Sequence, residues 1–489
     1  MVRKILNIFV KILLFKKIVV YLQKILKNEN IMMTLNEAFN SKFTENGDIA
    51  FTTTGNNNLL NILFLSEYYQ NHLNEVHIGT TEKDKLFSMM MRDPRYGLGR
   101  RDLGRVLMSQ SGCTIDQIVS AGRVDDLFII NKTTGDYELS QDVLNYLYDE
   151  CFKGNELVKK WMPRYSSKNL MIARAIAKHW GMNKQQYGKF IKCNTVENNL
   201  SRKTTDEINF EHVPSLAIIK YYNRFATGAD TSERFEKYLS DVKSGKKELK
   251  VATTTVYDIY RNQDKIDPDL FFDKIEKIAL SCVPVVDTSG SMTFADANDA
   301  YGKAMAIGHY LAKCSTYAPN QVVSFSSRPT ILTLGQENMI PSYNGSMHKQ
   351  QLSLTKSTYK REIESMYTGD CSNTDLGKVM ECFERMYSNG TQVEYPEYIV
   401  ILSDMEFDRG SSIRKDKLMQ YWKEKGYTTK IVWWNLNARN ATVPEMDHYG
   451  NIYMSGYSPM LLKFLGAGFD GNKFLDTLLD EYAKVVYSK

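Results

Sequence analysis

The chain has 489 residues, a length that is typical of two or three domains rather than one. Its composition, 43% hydrophobic, 12% aromatic and 24% charged with only 11 prolines, excludes a collagen-like, mucin-like or largely disordered chain. The net charge of +5 is unevenly distributed, because residues 151–250 hold 20 basic and 10 acidic side chains. Such a basic region indicates either a face that binds a polyanion or a set of solvated helical surfaces.

The seven cysteines are scattered along the chain, and they include no C-x-x-C pair. This pattern argues against a disulfide framework and against a structural zinc site. We therefore expect a reducing, cytoplasmic compartment, in which most of the cysteines are buried as small hydrophobic side chains.

The first 32 residues form a basic, apolar extension with seven Lys or Arg and one Glu. Four lysines interrupt the apolar stretch, so no run approaches the roughly 18–20 residues that a spanning helix needs. A secretory signal would also need a small-residue cleavage site, and none follows. We therefore predict that residues 1–32 are not an integral membrane span. Two alternatives stay open for this extension. It is either a peripheral basic anchor or a segment outside the natural product, because an ordinary domain begins just after Met32 and Met33.

Helical patterns occupy the chain from about residue 58 to residue 270. Apolar residues recur there at three- and four-residue spacing, between clusters of Gly, Pro, Asn and Ser. The helices predicted in this way are Asn58–Leu73, Glu82–Met91, Asp102–Gln110, Asp116–Ala121, Ser140–Cys151, Leu170–His179 and Lys184–Cys193. Short helices with short connections predict an α-helical repeat module over residues 33–270, although the sequence has no clean fixed-period repeat.

The pattern changes near residue 275, where strands begin to alternate with helices. Ile278–Val286 is a dense apolar run that ends in a polar turn, as expected of a buried parallel strand. The other predicted strands are Gln321–Ser326, Thr330–Leu334, Tyr398–Ser403, Lys430–Asn435 and Asn451–Met454, with helices near Asn298–Ser315, 358–367, 375–387 and Ser411–Lys425. This alternation predicts a Rossmann-like α/β domain over residues 271–489, with a mostly parallel sheet and helices on both faces. The predicted fold class is therefore α followed by α/β.

The first predicted strand leads into the segment Asp287-Thr288-Ser289-Gly290-Ser291, which has the pattern D-x-S-x-S. A carboxylate and two hydroxyls at this spacing converge on one point when the loop is curled, and Gly290 permits the tight backbone. Mg²⁺ prefers such hard oxygen ligands and keeps several waters. We therefore predict a Mg²⁺ or Mn²⁺ site at Asp287, Ser289 and Ser291. The alternative is a helix cap and turn that hold no ion.

This loop resembles the metal-ion-dependent adhesion site of von Willebrand factor A domains. The resemblance implies two further ligands, a Thr from a later loop and an Asp that follows another central strand. Thr374, in a loop that opens a helix, and Asp404, directly after the strand Tyr398–Ser403, match these positions. The family often reads S-D-G where this chain reads S-D-M-E. The acidic residues Glu406 and Asp408 therefore lie near the site in sequence, and it stays open whether either joins the metal shell.

Sequence motifs for catalysis are poorly represented. Ser289 is not in a G-x-S-x-G elbow, the seven histidines are dispersed, and the sequence has neither an H-E-x-x-H motif nor a P-loop. We therefore expect a non-enzymatic protein whose ion captures an acidic residue of a protein partner. A metal-dependent hydrolase is the minor alternative.

Two stretches of the helical half, residues 86–102 and 159–165, combine basic side chains with a Gly-bearing turn or with aromatic residues. Lys and Arg contact phosphates, and aromatic side chains stack on unpaired bases. The candidate RNA-binding residues are Arg92, Arg95, Arg100, Arg101, Arg105, Lys159, Lys160, Trp161 and Arg164. The alternative is that the arginines pair with neighbouring acids such as Asp93 and Asp102 and fix a turn.

Together with residues 52–55 and 455–459, these stretches resemble an uncharacterised intracellular family over about residues 40–485. Its members join a helical-repeat module to a von Willebrand A domain. The same order occurs in TROVE-module proteins, the Ro autoantigen family, whose helical ring binds small structured RNAs. That second similarity is one of architecture and implies no RNA-contacting residue here. Two functional hypotheses follow: a scaffold that binds a protein or ribonucleoprotein partner through a Mg-dependent site, and a Ro-like RNA-binding protein whose A domain is structural.

Overall fold

A computed structural model describes most of the chain after residue 40. The described residues are 41–44, 48–52, 58–128, 139–166, 169–251, 253–293, 299–325, 328–342, 346–372, 375–388, 395–408, 410–437, 440–444, 451–458, 461 and 474–487. The predicted extension at residues 1–32 lies outside this set. Within the set, no helix has both the length and the apolar character needed to cross a membrane.

The first part of the described chain is helical after one short hairpin. The hairpin is β1 (Ser41–Phe43) with β2 (Ile49–Phe51). The helices are α1 (Asn58–Phe64), α2 (Ser66–Asn71), α3 (Glu82–Arg92), α4 (Arg101–Ser111), α5 (Ile115–Ala121), α6 (Gln141–Phe152), α7 (Glu156–Trp161), α8 (Leu170–His179), α9 (Lys184–Phe190), α10 (Val196–Arg202), α11 (Ser215–Thr227), α12 (Ser232–Lys243), α13 (Val256–Asn262) and α14 (Pro268–Lys274). The predicted helical N-terminal region is thus confirmed. The predicted helix Asn58–Leu73 breaks at Leu65 into α1 and α2.

Side-chain caps explain where several of these helices begin. Thr81, Thr114, Asn183 and Thr255 each accept a hydrogen bond from the third residue of the following helix. In each case the side chain of that third residue accepts a hydrogen bond from the cap backbone in return. These reciprocal capping boxes satisfy backbone N–H groups that the first turn leaves without helical partners.

The second part of the chain forms a six-stranded sheet with helices between its strands. The elements are β3 (Cys282–Asp287), α15 (Gly290–Thr293), α16 (Ala300–Cys314), β4 (Gln321–Phe325), β5 (Thr330–Thr333), β6 (Met339–Pro341), β7 (Met347–Lys349), α17 (Thr358–Ser365), α18 (Leu376–Ser388), β8 (Tyr398–Ser403), α19 (Ser411–Glu424), β9 (Lys430–Asn435), β10 (Ile452–Ser455) and α20 (Phe474–Tyr487). The sheet order is β10-β9-β8-β3-β4-β5, with only β5 antiparallel to its neighbour. The predicted mostly parallel sheet is therefore confirmed.

The central strands β3 and β8 are buried at every residue, which explains why their sequences are continuous apolar runs. They pair in parallel with Val286 opposite Leu402, so both chains leave the sheet at the same edge. Helix α16 packs closely on β3, because a Cβ at Gly308 would collide with Val286. The sheet thus fixes where the residues after each strand lie.

Two hairpins were not predicted from the sequence. The first, β1–β2, contacts the segment that follows β8: Thr44 Oγ1 donates to the carbonyl of Phe407 at 2.7 Å, and the backbone N–H of Gly410 donates to Asp48 Oδ1 at 3.0 Å. The second, β6–β7, is inserted between β5 and α17. Both are built from three-residue strands, which are too short to show a period-2 pattern.

A buried ion cluster joins the helical part to the sheet part. The Glu67 carboxylate on α2 lies 2.6 Å from the Arg100 guanidinium and 3.6 Å from the Lys303 ammonium on α16. All three side chains are less than one-tenth exposed. A second link is the hydroxyl of Tyr257 on α13, which donates to Asp299 at the start of α16 at 2.9 Å. The ion cluster is therefore a polar contact between the two parts that solvent does not reach, whereas the Tyr257–Asp299 link lies at the surface, because Asp299 is exposed.

The variant Glu67→Gln tests this cluster. Burial raises the pKa of Glu67, but Arg100 and Lys303 outweigh burial and hold the pKa below its ordinary value of 4.5. The ionised carboxylate therefore stabilises the folded state above that pH. We expect the variant to lose about 3–5 kcal/mol of unfolding free energy at neutral pH, because two buried cations lose their counter-ion. Urea denaturation measures the loss.

The pH dependence provides the control for that experiment. The difference between wild type and Glu67→Gln should shrink as the pH falls below 4.5, because the wild-type carboxyl then becomes protonated and loses the same interaction. Glu82→Gln, at an exposed carboxylate paired with Lys85, should change stability little. A loss that is the same at every pH would show that the charge of Glu67 is not what stabilises the interface.

Candidate metal centre

The loop after β3 is curled by hydrogen bonds to the buried side chain of Asp287. Its Oδ1 accepts from the backbone N–H of Ser289 at 2.9 Å, and its Oδ2 accepts from the Ser403 hydroxyl of β8 at 2.5 Å. The hydroxyls of Ser289 and Ser291 lie 3.0 Å apart. The structure thus brings the three residues of the D-x-S-x-S pattern together, with oxygens on one side of a tight turn.

Asp404 follows β8 directly and is also buried. Its Oδ1 accepts from the backbone N–H of Glu406 at 3.2 Å. Burial and the neighbouring Asp404 carboxylate raise the pKa of Asp287 to about 7, against the opposing effect of its hydrogen bonds from Ser403 and Ser289. The two strand-terminal carboxylates are therefore close enough to act on each other inside the protein.

Thr374, the remaining predicted ligand, lies outside the described residues. The segment that leads to it does contact the Asp287 loop. The Thr288 hydroxyl donates to the carbonyl of Asp370 at 2.9 Å, and a Cβ at Gly290 would lie 3.5 Å from the carbonyl oxygen of Cys371. The polypeptide before Thr374 is therefore at the edge of the candidate site.

The two further acids occupy different environments. Glu406 is buried, and its Oε1 accepts from the Asn440 side chain at 3.0 Å. Asp408 is half-buried at the end of the same segment. Ser403, which the sequence did not single out, is the residue that orients Asp287. Its position at the end of β8, beside Asp404, is the signal that could have found it.

Met405 has a left-handed backbone with φ of +65°, at the position where the resembled family often has Gly. Its amide N–H donates to the Ser403 hydroxyl at 3.0 Å, so this conformation belongs to the network that holds Asp287. A left-handed residue with a Cβ costs about 1–2 kcal/mol relative to an unstrained one. The strained backbone lies at the edge of the candidate site, and the side chain of Met405 is buried there.

Substitutions at Met405 measure that strain. Met405→Gly and Met405→Ala remove the same buried contacts, but only Ala keeps a Cβ. We expect the Gly variant to be more stable by about 1 kcal/mol, after the greater unfolded-state entropy of Gly is subtracted. The same pair at Met419, inside helix α19, should show the opposite order by about 1 kcal/mol. Equal stability of the two Met405 variants in urea would contradict a strained backbone.

The donors at this site are oxygens, from two carboxylates and at least two hydroxyls. In the described part of the chain, no group of three or more His, Cys, Asp and Glu side chains is arranged to hold a metal ion. His309, on the helix after the loop, is buried with its Nε2 at 2.7 Å from Glu362. An oxygen-only set with few protein charges fits Mg²⁺ or Mn²⁺ better than a soft transition metal.

The predicted RNA-binding arginines divide into buried and exposed groups. Arg92 and Arg105 are buried and share the buried Asp126, at 2.9 Å and 2.5 Å. Arg100 is buried against Glu67. Guanidinium groups that are desolvated and paired inside the protein are not available to phosphates. The prediction is therefore corrected for these three residues, which fix the α3–α4 turn and its packing.

The other RNA-binding candidates keep some exposure. Arg95, Arg101 and Lys160 are exposed, and Lys159 is half-buried. Arg164 donates to the sulfur of Cys193 at 3.3 Å. The half-buried ring of Trp161 is covered on one face by the guanidinium of Arg123, 3.9 Å from the ring centroid. Arg123, which the sequence did not single out, thus uses a face that a nucleic-acid base would need.

Comparisons with known proteins give four similarities. Residues 281–481 match a family described as Domain of unknown function (DUF7788), and residues 182–278 match one described as Domain of unknown function (DUF2828). The chain is 24% identical to Uncharacterized protein L728 of Acanthamoeba polyphaga mimivirus over 508 residues, which cover 87% of this chain and 84% of the relative. It is similar to the crystal structure of the RO (RSR) protein of Deinococcus radiodurans, with 10% identity, a TM-score of 0.42, and 85% and 95% of the two chains covered. That TM-score does not establish a common fold. The two family matches adjoin where helices give way to the sheet.

Proposed function

We propose that the sheet part of this chain is a von Willebrand A-type domain whose metal-ion-dependent adhesion site captures a carboxylate of a protein partner. The protein would then be a non-enzymatic scaffold for a protein or ribonucleoprotein complex. The observation that carries the proposal is the pair of buried carboxylates, Asp287 and Asp404, at the ends of adjacent parallel strands. Burial of two like charges is costly, and a divalent cation between them offsets that cost.

The topology supports a ligand site at this place. Strand β3 has β4 on one side and β8 on the other, so the chain leaves the sheet in opposite directions around it. Ligands of open α/β sheets bind outside the carboxyl ends of strands at such a switch point. Asp287, Ser289 and Ser291 follow β3, and Asp404 follows β8.

Each residue has a distinct role in the proposal. Asp287 and Asp404 supply the negative charge, and the hydroxyls of Ser289 and Ser291 supply neutral oxygens. Thr374 completes the set as the resemblance implies. Ser403 is a positioning residue, because its hydroxyl holds Asp287 Oδ2. When bound, the ion supplies a Lewis-acidic point at which a carboxylate from another protein can coordinate.

Docking is favoured over catalysis by the groups around the site. The loop Ser289–Ser291 and the segment Cys371–Ser372 present hydroxyl and backbone groups together with the exposed thiol of Cys371. His309 is sequestered in the core against Glu362, so the helix after the loop offers no general base there. Capture of a carboxylate needs only an ion with open coordination positions, whereas hydrolysis also needs a positioned proton acceptor.

Mg²⁺ and Mn²⁺ should stabilise the full chain, and Asp287→Asn should abolish the effect. Without metal, the variant should be more stable than wild type at pH 8, by about 1 kcal/mol or more, because it removes one of two buried like charges. Added Mg²⁺ should raise the melting temperature of wild type, because a ligand that binds the folded state stabilises it, and should leave the melting temperature of the variant unchanged. Thermal unfolding and titration calorimetry measure both effects.

Asp264→Asn is the matched control, because it makes the same change at a highly exposed carboxylate. It should leave both the metal-free stability and the response to Mg²⁺ close to wild type. A wild-type protein that gains no stability from either ion and releases no heat in the titration would contradict the metal site.

The adhesion role is tested by affinity capture of partners with Mg²⁺ and with chelator. The full-length protein should retain a specific partner in Mg²⁺, and both chelator and Asp404→Asn should release it, while Asp264→Asn retains it. Acidic residues of that partner should be required in turn. A partner that binds equally well in chelator and to Asp404→Asn would show that the site does not act in docking.

A further inference from the structure

A ladder of aromatic rings reaches the surface where helices α6, α8 and α9 meet. Tyr148 stacks on Phe152, with ring centroids 6.2 Å apart and planes 10° apart, and on Phe190 at 5.4 Å and 28°. Trp180 packs edge-on against both Tyr148 and Phe190 at 5.6 Å. Phe152 is 74% exposed and Tyr148 is 36% exposed. These rings form an ordered series that ends in solvent, and we call them the aromatic ladder.

The base of the ladder is held firmly by the core. Trp180 Nε1 donates to the carbonyl of Leu144 at 3.3 Å. The ring of Trp180 lies 5.9 Å from that of Tyr187, which is fully buried and donates its hydroxyl to the carbonyl of Pro163 at 2.9 Å. The exposed rings are therefore presented by a fixed support. Stacking of a planar ligand on these rings therefore costs the protein little additional side-chain entropy.

The chain around the ladder is strongly basic. Residues 157–196 contain nine Lys or Arg and neither Asp nor Glu. Five of these cations lie on α8 and α9 or next to them and are exposed: Arg174, Lys178, Lys184, Lys189 and Lys192. The nearby acids come from α6 and α7. Glu150 is engaged by Lys153 and Asn155, and Glu156 accepts from the backbone N–H of Asn194, while Asp142 and Asp149 are exposed. A long segment without a counter-charge creates a positive field that attracts a polyanion.

We propose that the aromatic ladder and the lysines of α8 and α9 bind unpaired nucleotides of a single-stranded nucleic acid. Bases would stack on Phe152 and Tyr148, and phosphates would contact the cations. Parallel exposed rings favour planar bases, which have two flat faces, over the acyl chains of a membrane or an acidic peptide. The proposed surface differs from the arginine turn at residues 92–105 that the sequence suggested, and it does not depend on the metal site.

The first test is fluorescence anisotropy of a labelled short oligouridine with the full chain in chelator, which keeps the metal site out of the measurement. Phe152→Ala should weaken binding by about 5- to 150-fold, the range that corresponds to loss of one base–aromatic stack. Tyr487→Ala, at an aromatic residue on α20 that is 65% exposed, should leave the affinity unchanged. Because Phe152 is largely exposed, its removal should not prevent folding, which circular dichroism checks.

The second test addresses charge. Lys189→Glu with Lys192→Glu should lower both the affinity and the steepness of its salt dependence, because fewer counterions are released. Lys417→Glu with Lys423→Glu, exposed positions on α19, makes the same change in net charge elsewhere and should have a much smaller effect. Equal effects of the two double variants would mean that only net charge matters, and would overturn the proposed surface.

Further arms identify the ligand class. An oligothymidine of the same length separates RNA from single-stranded DNA, and either one supports the proposal when Phe152→Ala weakens it. The proposal is overturned when wild type binds neither oligonucleotide, when a duplex binds as tightly as a single strand, or when Phe152→Ala leaves the affinity unchanged. Sedimentation with phosphatidylserine vesicles, in the absence of oligonucleotide binding, would assign the surface to a membrane instead.

Discussion

Two carboxylates, Asp287 and Asp404, lie side by side in the interior because β3 and β8 are neighbouring parallel strands that end at the same edge of the sheet. Like charges without solvent repel strongly, so the surroundings must compensate. Part of the compensation is visible in the hydroxyl of Ser403 and the N–H of Ser289, which both donate to Asp287. The strained backbone of Met405 belongs to the same network. The remaining imbalance is what a divalent cation would remove.

The strands and the site loops could be predicted because each depends on residues that are close together in the sequence. A strand buried on both faces is a continuous apolar run, and a polar residue at its end must lie at the sheet edge. Asp287 was found in this way, whereas Asp404 was assigned from the resemblance to the von Willebrand A site. The burial of the arginines could not be predicted, because it depends on acidic partners that are distant in the sequence. Arg100 pairs with Glu67, and Arg105 pairs with Asp126. The charge pattern alone does not distinguish such buried pairs from a surface that binds phosphate.

The stretches that carried the family resemblance in the two halves of the chain contact each other in the structure. The Ser458 hydroxyl donates to the carbonyl of Gly97 at 2.5 Å. Gly456 has φ of +102°, and a Cβ there would press against the guanidinium of Arg100. The basic turn around Arg100 in the helical half is thus one side of a packed interface. Lys303 completes the ion cluster of Arg100 and Glu67, and it lies one turn into α16, the helix that follows the candidate metal loop. Helix α16 therefore links the candidate metal site to the helical part.

Anomalous diffraction from crystals grown with Mn²⁺ tests the central claim most directly, because it locates the ion independently of any effect on stability. The account predicts one peak outside the ends of β3 and β8, at about 2.1 Å from carboxylate oxygens or joined to them by water. The hydroxyls of Ser289 and Ser291 should be in the same shell. A crystal with saturating Mn²⁺ and no peak at Asp287 and Asp404 would contradict it.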